Sequence, residues 1–254
     1  MKLKTTSAFA LSALLLGTSA MAQTKAPEPD YTLAYNVGVT SDYRFRGIAQ
    51  TSFDPALQGG VDFTHKSGLY LGTWASNIKW IKDYVGATDG SLELDLYGGY
   101  KGEISKDFSY DFGVITYQYP SNTAANVAGF ANANTTEVYG ALTYGPVTAK
   151  YSYSTGDFIA NSNSSGSTYI EVAASFDLGN GFSLTPHVGH QTIPNQSVSG
   201  DYTDYSLTLG KDFGNGLSAS VAAIGTNASD AFYKVGTFDN LGKSTVAVGL
   251  KYSF

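Results

Sequence analysis

The chain ends on a stretch whose two faces differ in polarity. Its last eleven residues are Ser244-Thr245-Val246-Ala247-Val248-Gly249-Leu250-Lys251-Tyr252-Ser253-Phe254. From Val246 to Phe254 every even position is apolar or aromatic, whereas the odd positions hold small or polar residues and a lysine. Alternation with a period of two is typical of a β-strand with one apolar face. Such a strand fits a soluble sheet or a membrane barrel, and the rest of the chain decides between them.

The first 22 residues have the composition of a secretory signal peptide. Lys2 and Lys4 give a basic start, residues 8–17 form an apolar segment, and Ala20-Met21-Ala22 is a cleavage site with small residues at its outer positions. The apolar segment is shorter than the ~20 residues that a membrane-spanning helix needs. We therefore predict an exported protein with a signal peptide at 1–22 and one barrel domain at 23–254.

The composition favours a membrane barrel over a soluble domain. Charged residues make up 14% of the chain, against ~25% in ordinary soluble domains, and aromatic residues also reach 14%. The absence of cysteine excludes disulfides and zinc–thiolate sites, and we expect no cofactor and no metal site. A formal net charge of −6 argues against nucleic acid as a partner. Outer-membrane lipids and small hydrophilic solutes or ions are the expected partners, and the number of subunits is left open.

The alternation of the last strand recurs along the chain. Twelve such segments lie near 30–46, 55–65, 68–77, 91–101, 107–119, 135–145, 146–155, 167–178, 182–191, 201–212, 217–226 and 244–254. Tight connections follow the even-numbered segments, and long polar connections follow the odd-numbered ones. Short periplasmic turns that alternate with longer external loops are the pattern of an outer-membrane barrel. We therefore predict an all-β fold: a transmembrane antiparallel up-and-down β-barrel of about 12 strands.

Three stretches in the first half of the chain carry a family resemblance. They are Tyr35-Asn36-Val37-Gly38-Val39-Thr40-Ser41-Asp42-Tyr43-Arg44-Phe45-Arg46-Gly47-Ile48, Leu69-Tyr70-Leu71-Gly72-Thr73-Trp74-Ala75-Ser76-Asn77 and Glu93-Leu94-Asp95-Leu96-Tyr97-Gly98-Gly99-Tyr100. In these residues the chain resembles the TorF-type porins, a group of uncharacterised Gly- and aromatic-rich bacterial outer-membrane proteins. The resemblance implies a porin-like barrel in the bacterial outer membrane. It brings no substrate and no set of functional residues.

The candidate site is a group of charged residues expected to face the lumen. Arg44 and Arg46 are the only arginines, and on a strand at 30–46 they share one face, opposite Tyr43 and Phe45. The whole predicted lumen or constriction set is Asp42, Arg44, Arg46, Asp62, Glu93, Asp95, Glu137 and Glu171. Charges of both signs in a narrow barrel would select solutes by charge and size. Alternatively, they form a structural ion-pair network that fills the lumen.

The leading functional hypothesis is a porin or channel, not an enzyme, through which small hydrophilic solutes diffuse passively. Barrels of about eight strands are filled by side chains and those of about 16–18 strands hold open channels, so about 12 strands predict a narrow pore. The alternative is a closed outer-membrane barrel with a structural, adhesin or receptor role, supported by the long polar connections at 120–134 and 156–166. A third hypothesis is an outer-membrane hydrolase that uses His187, although nothing in the sequence fixes its nucleophile.

Two local features carry expectations of their own. Pro186 removes a backbone donor from the segment 182–191, which predicts a bulge or kink there. Four tyrosines are expected in the aromatic belt at the membrane interface, with a track of rings for stacking sugars as the alternative. They are Tyr117, Tyr119, Tyr151 and Tyr153.

Overall fold

The computed structural model describes residues 29–254, so the predicted signal peptide at 1–22 lies outside the described residues. The strands are β1 (Tyr31–Thr40), β2 (Arg44–Phe45), β3 (Ile48–Ala49), β4 (Ala56–His65), β5 (Leu69–Asn77), β6 (Leu92–Ser105), β7 (Phe108–Gln118), β8 (Thr135–Tyr144), β9 (Val147–Ser154), β10 (Thr168–Ala174), β11 (Phe176–Gly179), β12 (Phe182–Thr192), β13 (Tyr202–Gly214), β14 (Leu217–Thr226) and β15 (Thr245–Ser253). The connections contain α1 (Trp80–Asp83), α2 (Asp230–Tyr233) and a 3-10 helix (Ala124–Asn126). No helix within residues 29–254 has the length and hydropathy to span a membrane.

Twelve long antiparallel strands close into a barrel, with β10 and β11 as two halves of one strand. Each strand pairs with its neighbours in the chain, and β1 pairs with β15 to close the sheet. Closure leaves no unpaired edge in the wall, which is the condition for crossing a bilayer with strands. The predicted fold class, strand number and alternation of short and long connections are therefore confirmed.

The outer face of the barrel is apolar along its whole circumference. In β15 the even residues point outward, with Val246 62% and Val248 51% exposed, whereas Ala247 between them is 7% exposed. The same alternation holds in β1, where Leu33, Val37 and Val39 are exposed. An outer surface of exposed Leu, Val, Ile, Phe and Tyr is stable against lipid and unstable in water.

The first predicted strand, 30–46, is too long. The strand β1 ends at Thr40, and the chain then turns into the barrel instead of continuing up the wall. A tight hairpin causes the change of direction: Arg46 and Gly47 both have positive φ, 49° and 79°, and β2 pairs with β3 on either side of them. The prediction that Arg44 and Arg46 alternate with Tyr43 and Phe45 on a wall strand is therefore wrong.

The irregularity expected at Pro186 falls on the neighbouring strand. The strand β12 runs unbroken from Phe182 to Thr192 and keeps its register with β13 through Pro186. On the other side of β12, the break between β10 and β11 lies opposite Pro186, after the Ala173–His187 pair and before the Phe176–Leu184 pair. Because proline has no N–H to donate, the partner strand is the one that loses its ladder there.

Lumen tyrosines lie flat over glycines of the adjacent strand. Four such pairs are Tyr97 over Gly72, Tyr70 over Gly99, Tyr139 over Gly113 and Tyr169 over Gly189. A Cβ atom on any of these glycines would overlap the tyrosine ring. The glycines therefore let large rings lie against the wall, where they leave the centre of the barrel free.

Replacing Gly189 by alanine should destabilise the barrel by about 1–3 kcal/mol, because the new methyl group pushes Tyr169 from its place against the wall. The measurement is the urea midpoint at which the folded band on an unboiled gel is lost. Gly156→Ala is the matched control, since no atom lies within 4 Å of a Cβ at that position. Equal midpoints for the two variants would contradict the packing argument.

Candidate functional site

The connection between β1 and β4, residues 41–55, enters the barrel, and we call it the inward loop. Its Tyr43 hydroxyl donates to Glu93 Oε1 on β6 at 2.8 Å. Phe45 packs edge-on against Tyr117 of β7, with ring centroids 5.2 Å apart. Arg46 reaches β8 and β12, which lie across the barrel from β1 in the strand order. The inward loop therefore crosses the lumen.

Arg46 fixes the tip of the inward loop to the far wall. Its Nη1 and Nη2 donate to the two carboxylate oxygens of Glu137 at 3.0 and 2.6 Å, and Nη1 also donates to Gln191 Oε1 at 2.8 Å. The guanidinium carbon lies 4.2 Å from the centroid of the Tyr169 ring. Burial lowers the pKa of Arg46, but the Glu137 carboxylate outweighs burial and raises it overall, so the guanidinium stays charged.

Arg44 holds the base of the inward loop to the last long connection. It donates through Nε to Asp42 Oδ2 at 2.8 Å and through Nη1 to the carbonyls of Gly47, Leu241 and Lys243 at 2.9, 2.9 and 3.1 Å. Its Nη2 lies 2.7 Å from Asp42 Oδ2 but makes no hydrogen bond within the described residues, and the side chain is 4% exposed. Both arginines therefore have protein partners on several sides, as the structural interpretation expects.

The predicted carboxylates occupy three different settings. Glu93 and Asp95 are 1% and 8% exposed, and neither has an ion-pair partner within residues 29–254. Asp62 lies on β4, where it accepts from the Tyr97 hydroxyl at 2.6 Å, and within residues 29–254 it makes no hydrogen bond or ion pair with the inward loop. Glu171 lies in the lumen beside His187, described next. The structure thus joins Asp42 to Arg44 and Glu137 to Arg46, and does not gather all eight residues into one ring.

His187 bridges two lumen carboxylates. Its Nε2 lies 3.0 Å from Glu171 Oε2, and its Nδ1 lies 3.4 Å from Asp204 Oδ1. The Tyr169 hydroxyl also donates to Asp204, at 2.8 Å. No serine hydroxyl hydrogen-bonds to His187 in the part of the chain from 29 to 254. Both ring nitrogens are thus engaged by carboxylates, which suits a polar wall and gives no support to the hydrolase hypothesis.

Two cavities lie in the lumen around the inward loop, and they share Arg44, Thr208 and Ile224. The larger, about 460 Å³, is lined by Trp74 of β5, by Lys251 of β15 and by small residues of β14. The smaller, about 340 Å³, is lined by the lumen side chains Arg46, Lys150, Tyr169, Glu171, His187 and Asp204. These volumes are the size of a sugar or amino acid with its water.

Lys150 and Lys251 are lumen cations that the sequence analysis did not single out. Lys150 lies 4.3 Å from the centre of the Tyr139 ring and lines the smaller cavity, whereas Lys251 lines the larger one. Neither lysine has a carboxylate within ion-pair distance among residues 29–254. The two arginines line the cavities as well, but their charges are paired with carboxylates.

The other five long connections meet above the inward loop, and we call them the outer cap (78–91, 119–134, 155–167, 193–201 and 227–244). A small apolar cavity at their centre takes a residue from each and from the inward loop: Phe45, Trp80, Phe130, Phe158, Ile193 and Phe232. The Tyr84 hydroxyl donates to the Phe232 carbonyl, and burial raises the pKa of Tyr84 to about 12. Because connections from the whole rim converge here, the external end of the barrel is covered.

Two of the four tyrosines predicted for the interfacial belt lie inside instead. Tyr117 and Tyr119 are 6% and 2% exposed and pack against Phe45 and Trp80. Tyr117 lies on the lumen face of β7, where Ile115 also lies, and Tyr119 follows the end of β7 at the start of a connection of the cap. Tyr151 and Tyr153 do point outward, at 48% and 42% exposure.

The fold has counterparts among solved porins. The KdgM porin, solved in complex with disordered oligogalacturonate, superposes with a TM-score of 0.53 at 8% identity, covering 87% of this chain and 98% of that one. The NanC porin gives 0.53 at 10% identity, covering 88% and 99%. At such identities the similarity concerns the fold, and it agrees with the porin-like barrel that the sequence predicts.

Comparison by sequence identifies one protein family. No curated protein matches the chain. The model of a bacterial protein family of unknown function, Gcw_chp, matches residues 24–254. The match does not carry the TorF-type name, which stays a resemblance. Because the match spans the entire barrel, the chain belongs to the Gcw_chp family.

Proposed function

We propose that the protein is an outer-membrane channel through which small hydrophilic solutes diffuse passively, and that the inward loop sets its narrowest part. It reaches the bacterial outer membrane after cleavage of the signal peptide at 1–22, and residues 23–254 form the barrel. The exposed apolar wall supports a lipid environment. Porin-like relatives in fold agree with this assignment.

The observation that carries the proposal is the polar lumen with its two cavities, which share lining residues. A barrel with a purely structural role has no need of cavities of 460 and 340 Å³ lined by lysines, carboxylates and hydroxyls. Such groups replace part of the hydration of a polar solute, so they lower the cost of its passage. Lys150, Lys251, Glu171 and Asp204 would then act on the passing solute.

In this proposal, several of the residues predicted for the constriction hold the inward loop in place. Arg46 with Glu137 holds the tip of the inward loop across the lumen, and Arg44, which pairs with Asp42, holds its base through the carbonyls of Leu241 and Lys243. These contacts determine the pore size. Glu93 anchors the same loop through Tyr43. Passage past the outer cap requires the long connections to separate, so the covered barrel is the closed state of the channel.

The closed-barrel alternative has an observation in its favour. Buried apolar side chains join three of the long connections, 78–91, 119–134 and 155–167, among them Ile78, Ile81, Val85, Ala133 and Ala160. A cap of this kind could serve as a permanent outer surface for recognition. The distinction therefore rests on whether the cap separates in a membrane.

Conductance in a planar bilayer decides between the two functions. We expect discrete current steps from the purified, refolded protein, because the lumen below the cap is polar and hydrated. The folded state is verified first by the difference in gel migration between boiled and unboiled samples. A correctly folded barrel that gives no steps under an applied potential would overturn the channel and favour the closed receptor barrel.

A further inference from the structure

The larger lumen cavity is lined by one charged side chain that has no ion-pair partner. Three charged side chains line this cavity: Asp42, Arg44 and Lys251. Asp42 and Arg44 pair at 2.7 Å, so their charges offset each other. Lys251 has no carboxylate within ion-pair distance among residues 29–254, and Asp62 of β4, which accepts from Tyr97, does not line the cavity. The lining therefore has one net positive charge, although the whole chain has a formal net charge of −6.

Neutral hydroxyl and amide side chains line much of the same cavity. They are half-buried, and they belong to Asn36, Thr40, Gln58, Thr208, Ser218 and Ser220. Thr40 donates to the Asp42 carbonyl at 3.2 Å and Gln58 donates to Ser76 at 3.4 Å, whereas the other four make no side-chain hydrogen bond within residues 29–254. Hydroxyl groups both donate and accept, so they fit a ligand that has hydroxyl groups of its own.

Trp74 gives the cavity one apolar side. Its indole lies against Gly60 of the neighbouring strand, where an added Cβ atom would be 3.2 Å from the ring. It also packs edge-on against Tyr43 of the inward loop, with ring centroids 5.3 Å apart. The indole is thus held between the wall and the inward loop, where it offers an apolar surface to the carbon chain of a ligand.

The size and charge of the cavity restrict the class of ligand. A volume of about 460 Å³ equals about 15 water molecules at about 30 Å³ each, which is enough for a six-carbon molecule with some water. One lysine balances one carboxylate, whereas a phosphate group carries a charge of about −1.5 to −2 and would be left partly unopposed. A ligand ammonium group would find no unpaired carboxylate in the lining, because Asp42 is paired with Arg44.

We propose that the larger lumen cavity is a binding site for small organic acids with one carboxylate and several hydroxyl groups. The carboxylate lies at Lys251, the hydroxyl groups bond to the serine, threonine and amide side chains, and the carbon chain lies against Trp74. That such acids pass through the barrel rests on the proposed channel function, but their binding does not. Passage requires binding that is weak and still saturable.

Trp74 also serves as the reporter of binding, since the chain has two tryptophans and Trp80 lies in the outer cap. In Trp80→Phe, Trp74 is the sole tryptophan, and we expect its fluorescence to change saturably when sodium gluconate is added to the folded barrel in detergent at constant ionic strength. Sorbitol, which has the same carbon chain without the carboxylate, should bind more weakly. Trp74→Phe, in which only Trp80 reports, should show no saturable change with gluconate.

Substitution of Lys251 tests the contact with the carboxylate. In the Trp80→Phe background, Lys251→Gln should weaken gluconate binding about fivefold, because a unit charge is lost close to the carboxylate. Lys251→Arg keeps the charge and should retain binding. Lys66→Gln is the control, since Lys66 lies in a short turn with its side chain 68% exposed. Gel migration verifies folding, and if Trp80→Phe does not fold, the same lysine variants are compared in the wild-type chain.

Two results would overturn the site. One is the lack of a saturable response to gluconate in the folded barrel, and the other is a saturable response that Lys251→Gln does not weaken or that sorbitol matches. Bilayer recordings distinguish this failure from failure of the channel. Current steps without saturable binding leave the channel and remove the site, whereas saturable binding to a barrel that does not conduct leaves the site and removes the channel.

Discussion

Arg46→Met should lower the free energy of unfolding by about 3–5 kcal/mol and raise single-channel conductance. The substitution leaves the Glu137 carboxylate, 1% exposed, without its cation, and uncompensated buried charge carries a cost of that size. It also releases the tip of the inward loop from β8 and β12, so the loop no longer spans the lumen. Urea denaturation and bilayer recordings measure the two effects separately.

The double variant Arg46→Met with Glu137→Met separates charge from tethering. It removes the unpaired carboxylate, so most of the lost stability should return. The inward loop stays untethered, so the conductance should stay high. Because one positive and one negative charge are removed together, ion selectivity should change little.

Lys79→Met provides the surface control for these measurements. Lys79 pairs with Asp54 at 2.5 Å, but their side chains are 47% and 57% exposed. An exposed pair contributes about 0–1 kcal/mol. If Arg46→Met proved no more destabilising than Lys79→Met, or left the conductance at the wild-type value, the role of Arg46 in holding the loop would be wrong.

Replacing Lys150 and Lys251 together by glutamine should shift the reversal potential in a salt gradient toward cation selectivity. Both ammonium groups line the lumen cavities without a carboxylate partner among residues 29–254, so their removal leaves Glu171 and Asp204 less opposed. A unit charge at about 4 Å in water is worth about 1 kcal/mol, which predicts a change of roughly fivefold in the cation-to-anion permeability ratio.

The control for this experiment is a lysine of a short turn. Lys66 pairs with Asp30, and the two side chains are 68% and 57% exposed, so Lys66→Gln should leave the permeability ratio unaltered. An unchanged ratio in the folded Lys150/Lys251 variant would show that ions do not pass these residues. The selectivity would then have to come from other groups, such as the arginines that the sequence analysis favoured.

The barrel could be predicted from sequence because the two faces of its wall meet different solvents. Lipid outside and water inside impose the same period of two on every strand, and the short turns mark one end of the barrel. The end of β1 could not be predicted in this way. Residues 41–46 continue an alternating pattern, and the turn depends on Arg46 adopting a positive φ that a non-glycine residue seldom takes.

The candidate site was predictable by face and not by partner. The alternation of lumen-facing and lipid-facing positions along each strand predicts that four carboxylates face the lumen: Glu93, Asp95, Glu137 and Glu171. The same rule also predicts that Lys150 and Lys251 face the lumen. The partners depend on how the inward loop folds, which brings together Arg46 and Glu137, residues far apart in sequence. No local pattern encodes such a contact. Tyr117 and Tyr119 were predicted for the aromatic belt because tyrosine is common at membrane interfaces. Their odd positions in this segment instead correspond to the lumen side of the wall.

The pairing of β1 with β15 has a consequence for assembly. All other neighbours in the wall are hairpins of consecutive strands, whereas this seam joins Asn36 to Ser253, at opposite ends of the chain. Contacts between distant residues cost the most chain entropy and form slowly. Until Phe254 has been synthesised and docked beside Tyr35, the growing sheet has two open edges that can pair with other chains. The unfolded chain therefore has to be kept from aggregating until the seam closes.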